Sequence, residues 1–178
     1  MMFRTSDRLY VDESKARGYY VVATAAAVGS VRECERSLRT LLKPGQRRVH
    51  FKSERDSRRR EILSRMNELD VRVAVWISDG RPNKEARDLC MVEMAAEACR
   101  SGVDELIIER DASLEVADRR LIAGVVQSEA ASHLRYQHSA PHEHPLLWVS
   151  DAVAWCCSSG GDWKRRAEPL VKDRVVRL

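Results

Sequence analysis

The sequence contains no apolar run approaching the ~20 residues that a membrane-spanning helix needs. Its first residues, Met1-Met2-Phe3-Arg4-Thr5-Ser6-Asp7-Arg8, lack the apolar centre of a secretory signal. A cytoplasmic protein without membrane contact is the expectation. Cysteine is sparse and odd in number: Cys34, Cys90, Cys99, Cys156 and Cys157, with no Cys-x-x-Cys spacing. That excludes a disulfide framework and a zinc knuckle. Cys34, Cys90 and Cys99 fall in amphipathic helical patterns, where a buried thiol is the ordinary outcome. There is no internal repeat and no low-complexity tract. Neither sign of charge dominates. A net charge of +4 is too small to argue by itself for a polyanionic partner. What remains is 178 residues, enough for a single domain over 1–178 with a sizeable core.

Residues 8–12 and 18–28 read as two strands joined by the polar turn Ser14-Lys15-Ala16-Arg17-Gly18. The second is apolar nearly throughout, as a strand covered on both faces would be. Ser30 opens a helix, with Glu33 completing a capping box, and Pro44-Gly45 follows it. The alternation of Arg47-Arg48-Val49-His50-Phe51 predicts a short third strand. Ser53 is placed to cap a helix running through Leu69. A strand over 71–77 and a helix from Asn83 to Gly102 come next. A buried strand, 105–109, precedes a helix over 114–131 and an edge strand over 134–138. A proline-bounded loop, 139–145, leads to a helix bearing Asp151 that stops at Gly160-Gly161. Asp162 then caps a terminal helix. Strands first, then strands alternating with helices, predict an α/β or α+β protein with a sheet flanked by helices.

The acids at strand ends carry the chemistry. Strand one ends in Asp12 and Glu13, whose side chains point to opposite faces if both lie in the strand. Asp12 is the better candidate for a site. Glu109 closes the buried strand 105–109, and Asp111 follows it. Open α/β sheets place their ligands at such ends. Asp151 lies in the apolar run from Leu147 to Trp155. An ionised carboxylate there is costly unless something pairs with it, and a shared divalent cation meets that cost. Three carboxylates suit Mg²⁺ or Mn²⁺, hard cations that take oxygen ligands. The competing reading is plain: acids beside turns are solvated or cap helices, and Asp151 would be the N-cap of a helix starting at Ala152.

A basic segment is the second feature. Arg47, Arg48, Lys52, Arg55, Arg58, Arg59 and Arg60 face only Glu54 and Asp56 over residues 47–60. Clustered cations of this kind contact phosphates, although a solvated helix face has the same composition. Arg119-Arg120 and Lys164-Arg165-Arg166 would extend such a surface. His50, between Val49 and Phe51, is placed for a phosphate contact or for proton transfer. His142-Glu143-His144 lacks helical zinc spacing and reads as a solvent-exposed loop.

Taken in order, Tyr10-Val11-Asp12-Glu13-Ser14, His50-Phe51-Lys52, Ile107-Ile108-Glu109 and Trp148-Val149-Ser150-Asp151-Ala152-Val153-Ala154 resemble a large bacterial family, domain of unknown function family thirty-eight hundred. The resemblance spans residues 8–170. Pro44-Gly45-Gln46-Arg47-Arg48 and Gly160-Gly161-Asp162-Trp163 look like its actinobacterial branch. It implies a ribonuclease H-like fold: a mixed sheet flanked by helices, with one metal-binding Asp on the first strand and another on the C-terminal helix. Asp12 and Asp151 match those places. Glu109 would be the acid of the fourth strand, with Asp111 or Asp118 as substitutes and Glu13 as a lesser candidate. Lys15 stands where the family often has Gly.

The expectation is therefore a divalent-metal-dependent nuclease acting on DNA or RNA. Asp12, Glu109 and Asp151 would hold two ions about 4 Å apart that activate water and stabilise the leaving oxygen. His50 or Lys52 would steady the phosphate, and Arg47, Arg48, Arg55, Arg58 and Arg59 would follow the backbone. The alternative is a catalytically silent ribonuclease H-like module that binds nucleic acid or protein. A structural partner in a mobile-element, defence or toxin system is a third reading.

Overall fold

The computed structural model describes residues 2–131, 133–172 and 174–178. The chain opens with β1 (Arg8–Lys15) and β2 (Tyr19–Ala26), paired antiparallel from Arg8–Ala26 to Lys15–Tyr19. The turn between them uses Arg17 and Gly18 at positive φ, 55° and 114°. Only glycine suits the second position, where an added Cβ would run into Asp79. Then come α1 (Val31–Arg39), α2 (Asp56–Met66), β3 (Val71–Ser78), α3 (Asn83–Ser101) and β4 (Glu105–Glu109). They are followed by α4 (Glu115–Ser128), β5 (Arg135–Ser139), α5 (Leu146–Ser159), α6 (Gly161–Val171) and β6 (Val175–Arg177).

The strands form one six-stranded sheet in the order β5-β4-β1-β2-β3-β6. β1, β2 and β3 are antiparallel neighbours, while β4 and β5 run parallel to β1, and β6 runs parallel to β3. Strand alternation sorts the core into two layers. Tyr10, Val22, Val75 and Ile107 pack beneath Trp148, Val149 and Val153 of α5, with Leu38, Phe51 and Ile62 around them. Leu9, Val11, Val21 and Ile108 pack on the other face against Cys90, Met91 and Met94 of α3 and Ile122 of α4. All eight residues of β2 are buried, which is why that strand reads as a continuous apolar run.

Some local expectations need correction. Residues 47–51 add no strand. His50 is extended (φ −112°, ψ 99°), and Val49 and Phe51 are buried while His50 is exposed, so the alternation is real. The Phe51 N–H donates to Asp151 Oδ2 and its carbonyl accepts from Arg59 Nε, so side chains take the place of a ladder and the segment closes in a single 3₁₀ turn, Phe51–Ser53. Ser53 belongs to that turn and α2 starts at Asp56. Ser30 sits at the N-cap of α1 without a side-chain cap; its hydroxyl donates to the Ala27 carbonyl. Asp162 lies inside the first turn of α6 and accepts from Arg166 Nε at 2.6 Å, leaving Gly160 as the N-cap. Gly102 ends α3 in the left-handed conformation, as its sequence position predicts. The edge strand near 134–138 is present as β5.

Candidate functional site

Three acids meet at the end of the sheet where β1 and β4 finish. The parallel register pairs Val11 with Ile108, and Asp12 and Glu109 are the next residues on each strand. Both fall on the face carrying Tyr10 and Ile107, beneath α5. Ser150 fixes that helix in place: its hydroxyl donates to the Tyr10 carbonyl at 2.7 Å and stands 2.7 Å from Thr24 Oγ1. All of this is buried, so Asp151, one residue on, is held over the end of β1. Asp151 lies well inside α5, whose N-cap is Pro145, so the N-cap reading of this residue fails. Its Oδ2 instead accepts the Phe51 N–H at 3.0 Å.

The three carboxylates disturb one another. Burial, then the charges of Glu109 and Asp151, push the Asp12 carboxyl well above the usual range. Burial raises Glu109, with the Arg48 guanidinium opposing and Asp151 adding to the shift. Burial also raises Asp151, against the Phe51 N–H and the charges of Arg48 and His50. Arg48 supplies the local positive charge. Its Nη1 is 3.4 Å from Glu109 Oε1 and its Nη2 is 3.7 Å from Asp151 Oδ2. Among the described residues, no three His, Cys, Asp or Glu side chains are grouped so as to hold a metal ion as they stand. The donors nevertheless suit a hard divalent cation: all are carboxylate oxygens, and Glu109 Oε2 is buried with no hydrogen-bond partner.

Glu13 points to the opposite face, as alternation requires. There Arg87 of α3 binds Glu13 Oε2 at 2.9 Å and Asp118 Oδ1 at 2.7 Å, and Asp118 Oδ2 lies 2.8 Å from His138 Nε2. Glu13 and Asp118 are thus committed to a buried ionic network on the α3–α4 side. Asp111 is exposed and accepts from Ser113 through both its hydroxyl (2.6 Å) and its backbone N–H (3.0 Å), which holds its carboxyl below the usual range. Sequence reading missed Arg87. The signal was available: it sits at a core position of the stripe formed with Cys90, Met91 and Met94, where a charge demands partners.

The basic segment divides into two groups. Arg58 donates to the Leu41 carbonyl and pairs with Glu61, and Arg48 faces the acids. Arg59 donates to the carbonyls of Phe51 (3.0 Å) and Lys52 (2.6 Å), pairs with Asp56, and lies 4.2 Å above the Trp155 ring. It holds the turn that carries Phe51, and so the N–H bound to Asp151. Arg47, His50, Lys52 and Arg55 are exposed. His50 and Lys52 line a groove of about 670 Å³ beside Asp151, with Lys15, Arg17 and Trp163 on its other walls. A second hollow of about 840 Å³ is lined by Asp12 and Glu109 themselves and runs across Glu13 and Lys15 to Lys84, Arg87 and Arg110.

Strand order, sheet polarity and the helix across its face define a ribonuclease H-like fold, the fold the resemblance implied. Among solved structures the chain is similar to the RNase HII in the PCNA–RNase HII complex from Archaeoglobus fulgidus. The TM-score is 0.54 over 86% of this chain and 73% of that one, with 18% identity. At that identity the likeness is one of fold. No family model matches the sequence, and no curated protein matches it. No helix among the described residues is long and apolar enough to cross a membrane.

Proposed function

We propose that residues 1–178 form one ribonuclease H-like domain that hydrolyses phosphodiester bonds in nucleic acid with the help of Mg²⁺ or Mn²⁺. What carries the reading is the gathering of Asp12, Glu109 and Asp151, from β1, β4 and α5, at one end of the sheet, where each raises or feels the charge of another. Carboxylates that repel one another in a half-buried site favour a shared cation over mutual ionisation. The fold supports the same reading, because its RNase HII neighbour places a nuclease on this scaffold. A bound divalent ion would supply an activated water and neutralise charge on the phosphate.

The chain's own residues do the rest. Asp12, Glu109 and Asp151 hold the cation. The Ser150 hydroxyl and the Phe51 N–H fix the direction of Asp151. His50 and Lys52, in the groove beside Asp151, receive the phosphate, and Arg47 and Arg55 extend the exposed cationic surface.

The test is Asp151→Asn. Asparagine still accepts the Phe51 N–H and preserves the fold. Mn²⁺ should raise the melting temperature of the wild type and not that of the variant. Cleavage of DNA or RNA oligonucleotides should fall by at least about a hundredfold. Wild-type protein that ignores Mn²⁺ but still binds oligonucleotides in a chelator would instead favour the silent binding module. Arg48, standing against two of the three acids, is the observation on that side.

A further inference from the structure

We propose that Arg48 is the resident counter-ion of the carboxylate centre and gives up its place when a divalent cation binds, so that it sets the affinity for metal. The inference rests on the metal-dependent reading above and adds a residue to it.

The contacts of Arg48 are those of a provisional partner. Its two approaches, 3.4 Å to Glu109 and 3.7 Å to Asp151, exceed the ~2.8 Å of a well-formed guanidinium–carboxylate bond. Two buried polar atoms are left without partners at this spot, Arg48 Nε and Glu109 Oε2. Both faults are cured by one exchange: a cation takes the Glu109 oxygen, and the guanidinium turns to water. Among the ion pairs one guanidinium reaches two of the three acids, and Asp12 has no cationic partner among the described residues. A divalent ion answers that imbalance better.

The backbone allows the exchange. Arg48 lies between α1 and the Phe51–Ser53 turn, in a stretch with no helix or strand, so its withdrawal breaks no ladder. The stretch is tethered on both sides of Arg48, by Lys43 to Glu54 at 2.8 Å and by Arg59 to the Phe51 carbonyl. Only the side chain needs to move, and its neighbours Arg47 and His50 already face solvent.

Two measurements decide the matter. Mn²⁺ titrations are run on the wild type, Arg48→Met and Arg48→Lys, with circular dichroism confirming that each is folded. Removing the competing cation should tighten Mn²⁺ binding about five- to tenfold in Arg48→Met, with Arg48→Lys between. In the wild type, saturating Mg²⁺ should speed exchange of the Arg48 guanidinium protons with water, followed by nitrogen-15 NMR. Unchanged or weaker Mn²⁺ binding in Arg48→Met overturns the proposal while leaving the metal centre standing. So does a guanidinium whose protection survives Mg²⁺ saturation, for then Arg48 stays beside the ion. Binding by Arg48→Met alone also overturns the proposal, for then Arg48 blocks the site in the wild type and does not yield it. If neither protein takes Mn²⁺, both readings fall.

Discussion

Arg87 shows what a single buried charge demands. Its side chain is 6% exposed, between Glu13 and an Asp118 that is 1% exposed. Replacing it with methionine keeps the volume but leaves two acids without their cation. We expect a loss of about 3–5 kcal/mol in urea denaturation, because the surviving charges stay buried and unpaired. Glu54 makes a gentler case. Burial raises its carboxyl, but the Lys43 ammonium and the Gln46 amide outweigh that and hold it below the usual carboxylate range. A carboxyl depressed by folding adds stability that is complete above its unfolded pKa and lost as pH falls through the folded one. Glu54→Gln should therefore be less stable than the wild type at neutral pH, and the gap should close below about pH 4.5. A gap that persists unchanged to pH 3 would assign the effect to packing. At this scale the sequence singled out Asp12, Glu109 and Asp151, because they end or interrupt apolar runs, and the fold brings them to one end of the sheet. It could not disclose that Arg48 reaches Glu109 and Asp151, since that contact joins a loop, a strand and a helix across 61 or more residues.

Elements were legible where burial shapes composition. β2, β4 and α3 announce themselves by unbroken apolar character or by a helical stripe closed with Gly102. β6 does not, for three residues with only the middle one half-buried leave no pattern. The misread strand at 47–51 failed for a different reason. Alternation reports which side chains face inward, and it is silent on whether a neighbouring backbone exists to pair with. Here that backbone is replaced by side chains, above all Arg59. The same segment thus contains arginines of opposite kinds. Arg59→Met should cost about 2 kcal/mol, because the Phe51 and Lys52 carbonyls lose their donor. Arg55→Met, at an exposed position, should stay within about 0.5 kcal/mol of the wild type. Thermal or chemical melts of the two variants check this directly, and equal losses would show that Arg59 is not the clamp of the turn.

Across the whole molecule the cations are distributed unevenly about the carboxylates. On the α3–α4 side Lys84 is spent on Asp88, Arg87 on Glu13 and Asp118, and Arg110 on Glu115, while Lys15 stands at the rim of both hollows. On the α5–α6 side, Arg17 and Lys52 line only the groove beside Asp151 and have no ion pair among the described residues. A net charge of +4 hides this asymmetry, which only the fold creates by bringing the β1–β2 turn against the turn at Phe51. A polyanion releases counterions only where protein cations are free to replace them. Nucleic acid bound at the centre should therefore lie along the α5–α6 groove. Changing Arg17 and Lys52 together to glutamine should weaken oligonucleotide binding and reduce the slope of log affinity against log salt by about two. Changing Lys84 and Arg110 should leave that slope nearly as it was, because their charges are already matched within the protein. Equal effects from the two sets would place the strand across both hollows, and an effect from the second set alone would put it on the other side of Glu13.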